Sequence, residues 1–152
     1  MRINIVRKSD LWHKDWDEAM EVAAQWCANY FKLTHKNVTV DVFLDDFEEG
    51  YFGWSCEVDP GKHYEIAVNA RQYHEDDLIK TLFHEFTHVK QYLHDGFALD
   101  THEAHYEGYV YSWNKWEEFE DSFYHDSPWE VEARKMEEKL FDKFEEYMND
   151  VS

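Results

Sequence analysis

Apolar residues recur at helical spacing in two long segments of the first hundred positions. Residues 11–33 repeat them at three- and four-residue steps, after Asp10 as a candidate N-cap, and the stripe comprises Trp12, Trp16, Ala19, Ala23, Trp26, Tyr30 and Leu33. Residues 75–94 form the clearest helix, which Asp95 and Gly96 end, and its broad apolar face comprises Leu78, Ile79, Leu82, Phe83, Phe86, Val89 and Leu93. A helix with so wide an apolar face is predicted to be central in its domain.

Alternating apolar and polar residues between these helices predict strands. The segments 38–44, 51–58 and 63–69 each read as a strand, and the turn-forming residues 59–61 (Asp-Pro-Gly) separate the last two. They predict a small sheet of three to four strands.

The last third of the chain predicts a hairpin and a long helix. Residues 105–112 fit a short hairpin around Glu107 and Gly108. Ser127 and Pro128 fit the N-cap and first position of a helix whose apolar stripe comprises Trp129, Ala133, Met136, Leu140, Phe144 and Tyr147. The run 117–121 reads as a solvated acidic face, and Trp113 and Trp116 beside it as packing residues. The predicted fold class is α+β: a helix, a small sheet, a central helix and a C-terminal helix.

Composition limits the classes of partner. The 152 residues favour one domain, and 43% hydrophobic residues supply enough material for a core. The net charge of −19 repels nucleic-acid phosphates and anionic membranes, so we expect no direct binding to either. Peptides or proteins, basic ones in particular, remain as partners, and we expect a monomer.

The cysteines and the first residues predict a compartment. Residues 1–10 lack the apolar region of a secretory signal, and no apolar run approaches the ~20 residues of a membrane span. Cys27 and Cys56 lack a CxxC spacing, which favours two free thiols over a disulfide. We expect a cytoplasmic protein.

The central helix carries the motif HExxH at His84, Glu85 and His88. Residues four apart share one helix face, so the two imidazoles can occupy two corners of a zinc tetrahedron. Glu85 can then accept a proton from the attacking water and pass it to the leaving amine. Polar residues inside such an apolar helix are costly without partners, which strengthens a functional interpretation.

Catalytic zinc needs a third protein ligand, and the residues alone do not decide which one it is. His94 would complete the pattern HExxHxxGxxH, but Gln91 replaces the helix-breaking glycine. On a continuous helix His94 is turned by ~240° from His88, so we do not expect it to bind. Glu130 and Glu132 lie about 200° apart on the last helix, so only one of them can face the metal. Helical phase does not decide between them.

The two motifs together resemble a known family. HEFTH at 84–88 followed by PWEVEA at 128–133 is similar to the small SprT-like HExxH metallopeptidases, many of them phage-encoded, which read HELTH and PWEIEA. The resemblance is sharpest over 81–96 and 123–134. It implies a single zincin-like domain over residues 1–152, Zn²⁺ as cofactor and peptide-bond hydrolysis, in the host cytoplasm if the protein is phage-encoded.

The resemblance also bears on the third ligand. In the wider gluzincin pattern a small residue stands three positions after the ligand glutamate, which Glu130 and Ala133 fit and Glu132 does not. Glu130 is therefore favoured, with Glu132 as the alternative. Arg134 stands where that pattern often has an acid. SprT proteins themselves often use a third histidine, which keeps as further candidates His102 and His105.

Zincins commonly bind substrate as an added strand along the sheet edge. The resemblance makes residues 63–69 the expected edge, with Asn69 and Ala70 near the cleft. An oxyanion-stabilising side chain is also expected, and the sequence does not choose among Tyr106, Tyr109, Tyr111, Tyr124 and His125.

Two other functions compete with the peptidase. One is a non-catalytic acidic protein on the same fold that sequesters a basic host factor, and such a protein does not need Glu85. The other is a structural zinc protein with a closed shell of four ligands, His94 or His105 among them.

Overall fold

The computed structural model describes residues 1–8, 14–47, 52–72 and 74–151. Asp10, Trp12 and Tyr51, which the sequence analysis used, lie outside these ranges. The helices are α1 (Lys14–Tyr30), α2 (Glu75–His94), α3 (Trp116–Ser122) and α4 (Pro128–Val151). The strands are β1 (Arg2–Arg7), β2 (Thr39–Asp45), β3 (Gly53–Asp59), β4 (His63–Asn69), β5 (Ala98–Leu99), β6 (Glu103–Tyr106) and β7 (Tyr109–Ser112). The predicted α+β class is confirmed.

Four strands form a mixed sheet in the order β1-β2-β4-β3. The strands β1, β2 and β4 are parallel, and β3 runs antiparallel to β4 at one edge. The expectation that His63–Asn69 forms the edge was therefore wrong. The segment is almost entirely buried from Tyr64 onward, as suits an internal strand, whereas β3 exposes Trp54 and Val58.

The main core lies between one face of this sheet and the helices α1, α2 and α4. On β2 the buried residues Val40, Val42 and Leu44 alternate with half-buried ones, so the strand presents one apolar face. The apolar face of α2 covers that face, with Leu82, Phe83, Phe86 and Val89 fully buried. The central position predicted for the HExxH helix is confirmed.

A second, aromatic cluster lies beside the C-terminal end of α2. It consists of the buried residues Phe97, Ala104, Tyr106, Phe119 and Trp129. The hairpin β6–β7 supplies part of it, in the register predicted around Glu107 and Gly108. Trp113 and Trp116 are half-buried and pack against it, as expected. This cluster fixes the first turn of α4 against the end of α2.

Three elements were not predicted, and one helix is shorter than expected. β1 and β5 lie where no strand was assigned. α3 forms over the run 117–121, whose acidic residues are exposed as expected while Phe119 is buried. α1 ends at Tyr30 rather than at residue 33. Lys32 takes a positive φ of 58°, and the amide of Leu33 donates back to the carbonyl oxygen of Ala28 at 2.8 Å.

Two further predictions, on the cysteines and on membrane-spanning segments, can be compared with the structure. Cys27 and Cys56 are free thiols. Among the described residues, no helix combines the length and the apolar character needed to cross a membrane.

Gly53 is where the edge strand meets the central helix. A Cβ atom at this position would lie 2.7 Å from the carbonyl oxygen of Ala67 and 2.7 Å from Cγ2 of Thr81. Both contacts are too short for real atoms, so only glycine lets β3 approach α2 this closely.

We therefore predict that Gly53→Ala destabilises the fold by about 1–3 kcal/mol, the range typical of overpacking. Thermal unfolding of the metal-free protein measures the effect. Thr81→Ser removes Cγ2 but keeps the hydroxyl that donates to Asp77 and Gln72. This second change should restore part of the lost stability, and an unchanged melting temperature in Gly53→Ala would contradict the close approach.

Candidate metal centre

The HExxH residues lie on the side of α2 that faces α4. His88 and Glu85 are buried, and the side chain of His84 is 18% exposed. The two imidazole rings have centroids 5.2 Å apart, with an interplanar angle of 78°. One helical turn therefore brings both rings to the same site, as the motif predicts.

The carboxylate of Glu130, from the first turn of α4, lies between the two rings. Its Oε1 is 2.7 Å from Nε2 of His88, and its Oε2 is 3.1 Å from Nε2 of His84. Donor atoms around a tetrahedral zinc ion, with bonds of about 2.0–2.1 Å, lie about 3.3 Å apart. Each imidazole Nε2 atom therefore lies near this spacing from one oxygen of Glu130, a different oxygen for each ring.

Glu85 completes the polar cluster on the same helix. Its carboxylate comes close enough that one ligand atom each from His84, Glu85 and His88 lie within 4.8 Å of one another. Glu85 is 5% exposed, and its Oε2 atom is buried with no hydrogen-bond partner. A buried carboxylate oxygen without a partner costs about 1–3 kcal/mol or more, so this atom needs an explanation.

Burial and mutual attraction shift the pKa values of the site strongly. Burial alone would lower the pKa of His84, but its hydrogen bonds to Glu130 and Glu137 outweigh it and raise that pKa to about 10. The pKa of His88 is raised against burial in the same way by Glu130. Burial acts against ionisation of Glu130, yet the two imidazoles hold its pKa well below the usual range.

The pKa of Glu85 moves the other way. Burial raises it above its ordinary value, although His88 and His84 partly oppose the rise. Perturbed groups of this kind, clustered beside a cleft, are typical of functional sites.

Two further residues hold the outer nitrogens of the imidazoles. Nδ1 of His88 lies 2.7 Å from Oε1 of Gln91, and Nδ1 of His84 lies 3.5 Å from Oε2 of Glu137. Neither role was predicted from the sequence. Spacing could have suggested both, since Gln91 follows His88 by three residues and Glu137 follows Glu130 by seven, which keeps each pair on one helix face.

The other candidate ligands lie elsewhere. Glu132 turns away from the imidazoles, and its Oε1 accepts from Nε2 of Gln91 at 3.0 Å and from Nζ of Lys90 at 3.4 Å. His94 is exposed at the end of α2, as are His102 and His105 on the small sheet.

A cleft of about 490 Å³ opens onto the site. Besides four residues of the cluster (His84, Glu85, Glu130 and Glu137), its lining comprises Phe52, Gly53, Thr81, Tyr124, His125 and Arg134. Of the five oxyanion candidates, Tyr124 and His125 therefore border the cleft. Tyr106 and Tyr111 pack in or against the aromatic cluster, and Tyr109 is exposed on the hairpin. Asn69 and Ala70, expected near the cleft, are buried and not among its described lining residues.

Comparison of this chain with protein families, with curated proteins and with solved structures finds no match.

The two buried glutamates should affect the stability of the metal-free protein in opposite directions. Folding raises the pKa of Glu85, so above its ordinary pKa this carboxyl lowers the stability of the folded state, and Glu85→Gln should stabilise by about 1–3 kcal/mol. Glu130→Gln leaves two buried imidazoles without their counter-ion, and breaking a buried pair costs about 3–5 kcal/mol.

Denaturant unfolding at pH 7 in the presence of a chelator measures both changes. The two variants serve as controls for each other, because each exchanges one carboxylate for an amide within the same site. A loss of stability in Glu85→Gln would show that Glu85 is a structural partner of the imidazoles.

Proposed function

We propose that this chain is a zinc-dependent metallopeptidase on a zincin-like fold, with His84, His88 and Glu130 as metal ligands and Glu85 as general base. The observation that carries the proposal is the Glu130 carboxylate, 2.7 and 3.1 Å from the Nε2 atoms of the two HExxH imidazoles. Two imidazoles and one carboxylate are the ligand set of many catalytic zinc sites, which leave a fourth position for water or substrate.

The surroundings support an open site rather than a closed one. The cleft reaches His84, Glu85 and Glu130, so a substrate carbonyl can approach the ligands from solvent. The outer nitrogens of both imidazoles face acceptors on Gln91 and Glu137, which leaves both Nε2 atoms for the metal. A structural zinc protein would need a fourth ligand; the expected His94 and His105 are exposed, and neither belongs to the group of potential ligand atoms around His84 and His88.

In the proposed reaction a bound zinc ion would polarise the scissile carbonyl and lower the pKa of the attacking water. Glu85 takes the proton of that water and delivers it to the leaving amine, a role that suits a carboxylate whose pKa is raised by burial. Tyr124, His125 or Arg134, at the rim of the cleft, can stabilise charge on the carbonyl oxygen.

The edge strand β3 offers a place for an extended substrate. It is an edge of the four-stranded sheet, and its first residue Gly53 lines the cleft together with Phe52. An added peptide strand along this edge would therefore pass the metal site. The net charge of −19 favours substrates that carry basic residues.

The alternative, an acidic protein that binds a basic partner without chemistry, would share the fold and the charge. It gives no role to the buried carboxylate of Glu85, which the proposed peptidase uses as its general base. For this reason we favour the enzyme.

The metal content of purified protein tests the ligand set. Wild type should hold about one zinc ion per chain, and His84→Ala and Glu130→Ala should hold far less, because each removes a ligand. Glu132→Ala tests the alternative ligand: Glu132 contacts Gln91 and Lys90 and not the imidazoles, so this variant should keep more zinc than Glu130→Ala. Glu146→Ala removes an exposed carboxylate on the same helix, and as the matched control it should hold as much zinc as wild type. Full zinc content in Glu130→Ala would exclude Glu130 as a ligand.

Hydrolysis of quenched fluorescent peptides that contain basic residues tests the reaction. Glu85→Gln should keep its zinc and lose at least about 10²-fold in kcat/KM, since it removes the general base but no ligand. Glu118→Gln changes an exposed glutamate on α3 and should cleave like wild type. Loss of zinc from Glu85→Gln would instead indicate a closed structural site, and equal cleavage by both variants would contradict the mechanism.

A further inference from the structure

Gln91 is a fully buried polar residue with three polar contacts in two different helices. Its Oε1 lies 2.7 Å from Nδ1 of His88 on α2. Its Nε2 donates to the backbone oxygen of Trp129 at 2.9 Å and to Oε1 of Glu132 at 3.0 Å, both near the start of α4. The side chain therefore links one candidate ligand to the turn that carries another, Glu130.

These contacts fix which end of the amide faces which partner. The backbone oxygen of Trp129 can only accept, so the NH₂ group of Gln91 must face it, and the same group then donates to Glu132. Its oxygen must then face His88, and the imidazole must donate from Nδ1. The remaining nitrogen, Nε2, is the one that lies beside Glu130.

We propose that Gln91 is a positioning residue that holds His88 and the first turn of α4 in the arrangement that binds the metal. The inference rests on the proposed zinc site. Gln91 sets the ring orientation and the protonated nitrogen of His88, and by the same amide it anchors the backbone next to Glu130.

No other side chain of this size makes all three contacts. Leucine would leave the Nδ1–H group of His88 without an acceptor and would remove a donor from both Trp129 and Glu132, inside a fully buried region. Glutamate would still accept from His88, but it cannot donate and would repel Glu132. The two substitutions therefore separate the contact on α2 from those on α4.

Zinc affinity, measured by competition with a chromogenic chelator, tests the positioning. Gln91→Leu and Gln91→Glu should each weaken zinc binding by about 10- to 100-fold, as losses of outer partners of metal ligands do. Thr87→Val is the matched control. Thr87 is equally buried on α2, but its hydroxyl donates to the carbonyl oxygen of Phe83 in its own helix, so zinc affinity should stay within about threefold.

Nitrogen-15 spectra of the histidine rings supply a readout that general loss of packing would not produce. Zinc-loaded wild type should show His88 ligated through Nε2 with a slowly exchanging Nδ1–H proton. Gln91→Glu should keep that proton signal while binding zinc more weakly. In Gln91→Leu the proton stays on Nδ1 but lacks an acceptor, so it should exchange rapidly with water and its signal should be lost. Circular dichroism confirms that each variant is folded.

Two results would overturn the inference: zinc affinity within threefold of wild type in both variants, or an unchanged Nδ1–H signal in Gln91→Leu. The failure of the zinc proposal is recognised separately, because wild type would then bind no zinc. In that case the Nδ1–H signal of metal-free His88, present in wild type and lost in Gln91→Leu, still decides whether Gln91 holds the ring.

Discussion

The carboxylate of Glu130, shared between the imidazoles of His84 and His88, is the interaction on which the rest of the site depends. It joins the central helix to the closing helix through charged groups that are almost entirely removed from water; the Glu130 side chain is 6% exposed. Burying an isolated carboxylate would cost several kcal/mol, and here two imidazoles compensate for it. The three side chains are thus held together by their own charges and hydrogen bonds.

The aromatic cluster explains why Glu130, and not Glu132, takes this place. Trp129 is 1% exposed, and its ring lies 5.3 Å from that of Phe97 and 5.6 Å from that of Tyr111. Because the Trp129 ring is held in this cluster, the orientation of the first turn of α4 about the helix axis is fixed as well. The next residue, Glu130, then faces the imidazoles, and Glu132, two steps of about 100° further on, faces Lys90 and Gln91. A set of packing residues thereby selects the candidate ligand.

Local periodicity was enough to predict the elements that carry the site. The bounds of α2 and β4 match the predicted 75–94 and 63–69, and the hairpin follows its turn residues. β1 was missed because its six residues are stabilised by parallel pairing with β2, more than thirty positions away. Strand order was missed for the same reason: no local pattern states that β3 adds outside β4. Helical phase likewise left Glu130 and Glu132 equal, since a tertiary contact decides between them.

Glu85 is the residue for which the fold gives no structural reason. It lies on a helix whose other buried positions are mostly apolar, close to the point where Gly53 lets the edge strand approach, and one of its oxygens has no partner. A scaffold that only bound a partner, or only needed a metal for stability, would gain from an apolar side chain at this position. A buried carboxylate with a raised pKa that lines a cleft beside two imidazoles would suit the proton transfers of the proposed reaction. Natural proteins retain destabilising groups chiefly where function needs them, and for this reason we propose catalysis rather than binding alone.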